Sequence, residues 1–87
     1  MRQVRFTNKA LDDMQDWAVT NPRLLTRALK LIRECQRTPF EGTGKPEALK
    51  ANLSGLWSRR ITDEHRLIYQ VTEDTIVVHS LKGHYED

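Results

Sequence analysis

A single cysteine, Cys35, stands in 87 residues. That excludes an intrachain disulfide and points to a reducing compartment, the cytoplasm. No apolar run is long enough to span a bilayer, and the N-terminus lacks the pattern of a secretory leader, so neither a membrane nor export is expected. Histidine is scarce: His65, His79 and His84, with one cysteine, make no metal-ligand spacing, so no metal and no other cofactor is expected. No serine or cysteine lies in a nucleophile motif. Repeats, low-complexity segments and linkers are also missing, which leaves one domain over residues 1–87 with one modest core.

What is present is an ordinary globular mixture, 38% hydrophobic and 30% charged, with a formal net charge of only +2. The charge is unevenly spread. Residues 1–22 balance three bases with three acids, residues 23–66 hold ten bases and five acids, and residues 67–87 hold one base against four acids. A basic middle is a footprint for a polyanionic partner.

Along the chain, Gln3-Val4-Arg5-Phe6 alternates as a short strand. Thr7 is placed to cap a helix from Asn8 to about Val19, with Leu11, Met14 and Ala18 inward, Trp17 beside them, and Asp12, Asp13 and Asp16 outward. Asn21-Pro22, a capping side chain followed by proline, restarts a helix to about Arg37. Its stripe of Leu25, Ala28, Leu29, Ile32 and Cys35, widened by Leu24 and Leu31, must be buried, with Cys35 as core filler. The glycine-containing loop Phe40–Pro46 lacks the lead-in strand and spacing of a phosphate-binding loop. Glu47-Ala48-Leu49-Lys50 is predicted as one helical turn, with Glu47 and Lys50 on one side. Three strands follow, the last over Thr75–Leu81. The expected fold is α+β: strand–helix–helix–three strands, an antiparallel sheet with two helices packed on one face.

The most ordered signal is the hairpin around Thr62-Asp63-Glu64. A three-residue loop pairs Ile61 with His65, Arg60 with Arg66, Ser58 with Ile68 and Trp57 with Tyr69. One face then carries Trp57, Ile61, Leu67, Tyr69 and Val71, a core pattern broken only by Arg59. A two-residue loop would scatter apolar residues over both faces. The odd loop sets Arg60 opposite Arg66, where like charges repel unless water or an anion lies between them. A solvated face and a phosphate site both satisfy that pattern.

Glu47, Lys50, Arg60, Arg66, His84 and Tyr85 together supply a carboxylate base, phosphate-binding cations, a histidine acid and an aromatic platform. Metal-free RNA cleavage needs those parts, because the 2′-hydroxyl is itself the nucleophile. Small basic domains often hold the same residue types, and each has an inert reading: Glu47 a surface acid paired with Lys50, Lys50 a solvated lysine, His84 and Tyr85 a frayed end.

The run from Arg37 through Pro46 to Lys50, followed by Asn52-Leu53-Ser54-Gly55-Leu56-Trp57-Ser58-Arg59-Arg60-Ile61 and Glu64-His65-Arg66-Leu67-Ile68-Tyr69, closely resembles the YoeB toxins of the RelE superfamily. The resemblance covers nearly the whole chain and ends in His84-Tyr85. It implies a RelE-like fold and a ribosome-dependent mRNA endonuclease that acts in the ribosomal A site and inhibits translation. It also implies a YefM-like antitoxin partner, with operator DNA bound only through the toxin–antitoxin complex. By the same resemblance Glu47 is the general base, His84 the general acid and Arg66 the stabiliser of the phosphorane, while Lys50 and Arg60 contact phosphate and Tyr85 lies near the scissile nucleotide. Close relatives commonly stop at the His-Tyr pair, whereas Glu86 and Asp87 follow it here, adding negative charge beside an RNA site. The rival readings are a ParE-like gyrase poison and a non-catalytic regulatory module, neither of which needs an acid–base pair.

Overall fold

The computed structural model describes residues 1–83. Strand β1 (Gln3–Phe6) leads into helix α1 (Asn8–Thr20) and helix α2 (Pro22–Arg37). Strand β2 (Glu47–Ala48), a 3-10 turn (Ala51–Leu53) and strands β3 (Leu56–Arg60), β4 (Arg66–Val71) and β5 (Thr75–Ser80) complete the order. The sheet runs β1-β5-β4-β3-β2. The α+β class and the two helices are as expected, but the sheet is mixed, because β1 pairs parallel to β5. It also gains a fifth strand. Glu47-Ala48 forms β2 against Ser58 and Trp57 rather than a helical turn. Its residues are good helix formers, but ladder bonds to β3 outweigh a local preference worth only tenths of a kcal/mol per residue.

Thr7 caps α1 as expected, its hydroxyl accepting from the Ala10 N–H at 3.2 Å. At the α2 start the Asn21 side chain makes no capping bond; instead its backbone carbonyl accepts from Leu24 and Leu25. The buried stripe of α2 is Ala28, Leu31, Ile32, Cys35 and Gln36, with Leu29 left exposed. The stripe of α1 is rotated from the expected one: Ala10, Asp13 and Trp17 are buried, and Leu11 is exposed. These residues meet Ile61, Leu67, Tyr69, Ile76, Val78 and Leu81 in the core. Burial pushes the Cys35 thiol up to about 11, which suits a filler and not a nucleophile. No helix among the described residues is long and apolar enough to cross a membrane.

The three-residue hairpin register holds, with Trp57 opposite Tyr69, Ser58 opposite Ile68 and Arg60 opposite Arg66. Ile61 donates to the His65 carbonyl at 2.9 Å and closes the turn.

Candidate active site

Side chains alternate across a strand, so the register sorts them. Trp57, Arg59, Leu67 and Tyr69 face the helices. Glu47 pairs with Ser58, Ser58 shares its face with Arg60, and Arg60 pairs with Arg66, so Glu47, Arg60 and Arg66 lie together on the opposite face. Glu47 and Arg60 are diagonal neighbours across β2 and β3, roughly 7–8 Å apart. Glu47 and Arg66 stand two strand spacings apart and two residues out of step, about 12 Å.

Glu47 is exposed, with no hydrogen bond or ion pair to its carboxylate among the described residues. Among the described residues the Arg60 guanidinium has only Asp63 at 4.0 Å, an exposed contact of little energy. The Nε of Arg66 is buried and has no hydrogen-bond partner among the described residues. A buried donor left unpaired costs about 1–3 kcal/mol, so this one calls for an acceptor beyond the described residues. Lys50 lies at the start of the 3-10 turn, exposed and free of side-chain partners among the described residues. The helical spacing that placed it beside Glu47 does not exist, because Glu47 is in a strand.

His84 and Tyr85 lie outside the described residues. The chain that leads to them does not. After β5 the backbone runs beside β4, and the Gly83 carbonyl accepts from the Arg66 N–H at 2.8 Å. Gly83 adopts φ +77, a conformation glycine reaches without penalty. Both its N–H and its carbonyl are bonded.

Arg59 faces the other way and is fully buried. Its guanidinium bonds the Glu34 carboxylate, the Thr38 carbonyl and the carbonyls of Glu41 at 2.8 Å and Thr43 at 3.3 Å, while Nε donates to the Tyr69 hydroxyl at 3.2 Å. Tyr69 in turn donates to the Pro39 carbonyl at 2.7 Å. The loop thus gathers carbonyls around a cation, the reverse of a phosphate-binding loop, which gathers N–H groups. Its exit is fixed at Gly44, whose carbonyl accepts from the Arg60 N–H at 2.7 Å. A Cβ there would lie 2.8 Å from the Arg60 carbonyl, so only glycine fits. This loop delivers β2, and with it Glu47, to the edge of β3.

Two residues away from this sheet face hold the chain end in place. Asp13 points inward and is 4% exposed, not on the outer face with Asp12 and Asp16. Its Oδ2 accepts from the Leu81 N–H at 2.9 Å and the Lys82 N–H at 3.1 Å, and Lys9 closes on its other side at 2.6 Å. Burial raises its carboxyl pKa, but these donors outweigh burial and hold it below the usual value. The signal was available, since Asp13 falls between Ala10 and Trp17 at helical spacing. His65 packs edge-on against Trp17 with centroids 5.2 Å apart, and its Nδ1 accepts from the Gly83 N–H at 2.8 Å.

Over residues 6–85 the sequence matches the family described as the YoeB-like toxin of bacterial type II toxin-antitoxin systems. Toxin YoeB of Escherichia coli strain K12 is 49% identical over 80 residues, spanning 92% of this chain and 95% of that protein. Among solved structures, the YoeB/ParE toxin from Agrobacterium tumefaciens superposes with a TM-score of 0.90 at 40% identity, covering 95% of this chain and 99% of that one. The toxin of the YoeB-YefM complex from Staphylococcus aureus gives 0.88 at 37% identity, covering 98% and 99%.

Proposed function

The chain belongs to the family of YoeB-like toxins of bacterial type II toxin–antitoxin systems, and from that premise we propose that it is a ribosome-dependent mRNA endoribonuclease. The observation that carries this reading is a sheet face whose cations lack close partners among the described residues. Arg60 stands opposite Arg66, the Arg66 Nε is buried without a partner among the described residues, and Glu47 lies free on the same face. A phosphodiester placed between Glu47 and Arg66 satisfies both arginines at once.

In this reading the RNA supplies its own nucleophile. Glu47 takes the proton of the 2′-hydroxyl as that oxygen bonds to phosphorus. Arg66 stabilises the charge that builds on the phosphorane, and His84 gives a proton to the departing 5′-oxygen as the P–O bond breaks. The products are a 2′,3′-cyclic phosphate and a 5′-hydroxyl. Lys50 and Arg60 hold the phosphate backbone, and Tyr85 offers a ring for the adjacent base. Because the nucleophile is already in the substrate, the protein's contribution is alignment and charge stabilisation.

The partner in this reading is a YefM-like antitoxin, as in the S. aureus complex. The same cations that bind RNA attract an acidic segment that folds on docking, so its association rate should fall steeply with salt. Operator DNA is bound through that complex. Primer extension on mRNA after brief induction tests the reading. Discrete cuts within translated codons are expected, abolished in a His84→Gln variant. Intact mRNA with arrested replication would assign the chain to gyrase poisoning instead.

A further inference from the structure

Strand β5 ends at Ser80, so the N–H groups of Leu81, Lys82 and Gly83 have no ladder partners. All three are nevertheless taken by side chains. Asp13 of α1 accepts the first two on one oxygen, and His65 of the hairpin turn accepts the third on Nδ1. We propose that Asp13 and His65 are positioning residues for RNA cleavage, fixing the backbone up to Gly83, the residue that precedes His84 in the sequence. The inference rests on the endoribonuclease reading above.

Anchoring the chain end does not by itself require this arrangement. The Leu81 side chain is fully buried in the core, and Lys82 reaches Asp16 at 2.8 Å. What the two acceptors add is direction. From an anchor at Leu81 alone, the Cα of Gly83 could sweep a radius of about 7 Å, at roughly 3.3–3.6 Å per residue. With Gly83 held on both sides, by His65 at its N–H and by Arg66 at its carbonyl, that freedom is removed at the residue joined directly to His84. A general acid must come within hydrogen-bond reach of its leaving oxygen, and a misplacement of about 1 Å can cost on the order of a hundredfold. Helix α1 supports both acceptors, Asp13 directly and His65 through the Trp17 ring one turn on. A carboxylate is buried at this spot, and the cost of doing so is offset by the two N–H groups and Lys9.

The test compares four variants by single-turnover cleavage on reconstituted ribosomes, measuring maximal rate and half-saturating ribosome concentration separately. Amide hydrogen exchange at Leu81, Lys82 and Gly83 is followed in parallel. Asp13→Ala and His65→Phe remove the acceptors, the latter keeping a ring against Trp17. Each should lower the maximal rate about tenfold to a hundredfold with half-saturation unchanged, and speed exchange at the freed amides. Asp13→Asn keeps an oxygen where Oδ2 sits, and His65→Asn puts an amide oxygen near the place of Nδ1. Both should return to within a few-fold of wild type with protected amides. Wild-type rates in Asp13→Ala and His65→Phe would overturn the proposal, as would equal losses in the asparagine variants or a loss confined to half-saturation. If Asp13→Ala fails to fold, His65→Phe against His65→Asn decides alone. Should the wild-type chain leave mRNA intact, the endoribonuclease reading falls and takes this proposal with it, whereas cleavage indifferent to all four variants removes the positioning role only.

Discussion

Arg59 and Arg60 are adjacent in sequence and opposite in everything else. The pleat of β3 turns Arg59 toward the helices, where a carboxylate, three carbonyls and a phenol surround it. It turns Arg60 outward, opposite Arg66, where the described residues offer only a distant aspartate. A buried cation with all its donors satisfied has no capacity left for a ligand. A cation facing a like charge, beside a buried Nε unpaired among the described residues, has that capacity and gains by using it. The difference teaches that an arginine's role follows from what is left unsatisfied, and not from its exposure or its neighbours in sequence.

The comparison breaks most visibly on the ligand face. Arg66→Ala should cost about two to four orders of magnitude in single-turnover rate, the scale for a residue that stabilises transition-state charge. Its melting temperature should stay close to wild type. Glu47→Gln should cost less than Arg66→Ala, because Glu47 is exposed on the short edge strand and alignment of the 2′-hydroxyl carries part of its role. Rates measured at saturating ribosomes check both. A larger loss in Glu47→Gln would put proton abstraction ahead of charge stabilisation.

On the buried face the order reverses. Arg59→Ala removes one donor from Glu34 and the guanidinium donors from Tyr69 and the loop carbonyls of Thr38, Glu41 and Thr43. Breaking a buried pair from one side costs about 3–5 kcal/mol. Chemical denaturation should show that loss, and any fall in cleavage should follow the folded fraction. An Arg59→Ala protein as stable as wild type would mean that the loop holds β2 by its backbone bonds to β3 alone.

Much of this contrast was legible in the sequence, because turn length and burial together fix a hairpin register. Only the odd loop gathers Trp57, Ile61, Leu67 and Tyr69, and that choice puts Arg60 against Arg66. Arg59 in the same row looked like an exception, and its partners come from a loop and a helix that no local pattern connects to β3. The edge strand was illegible for a related reason. Glu47-Ala48 favours a helix locally, and only Ser58 and Trp57 make it a strand. Asp13 turns inward for N–H groups 68 and 69 residues away. The resemblance supplied the roles of Glu47 and Lys50, but the helical spacing offered for their proximity was mistaken.

A smaller effect separates Arg60 and Lys50 from Arg66. Both are exposed, so their contribution to RNA is largely electrostatic. Replacing either by alanine should reduce the magnitude of the log–log salt slope of binding by about 0.7–0.9, the share of one phosphate contact. Cleavage at saturation should change far less than in Arg66→Ala. An unchanged slope in Arg60→Ala would show that its charge stays with Asp63.

The smallest effect belongs to the buried face and appears only in acid. Burial raises the Glu34 carboxyl, but the N–H and hydroxyl of Thr43 and the Arg59 guanidinium outweigh it, so the folded value lies below the ordinary 4.5. A carboxyl whose value is depressed by folding contributes stability that is complete above its unfolded value and lost as pH falls through the folded one. Stability from Glu34 should therefore be constant from neutrality to about pH 5 and decline below about 4.5. Glu34→Gln should melt lower than wild type at neutral pH, and the gap should narrow as the wild-type carboxylate takes up its proton. Melting curves for the two proteins between pH 7 and pH 3 decide this. A gap that stays constant across that range would show that Glu34 holds the loop by shape and neutral hydrogen bonds. The charge on Arg59 would then be balanced by the carbonyls of Thr38, Glu41 and Thr43 alone.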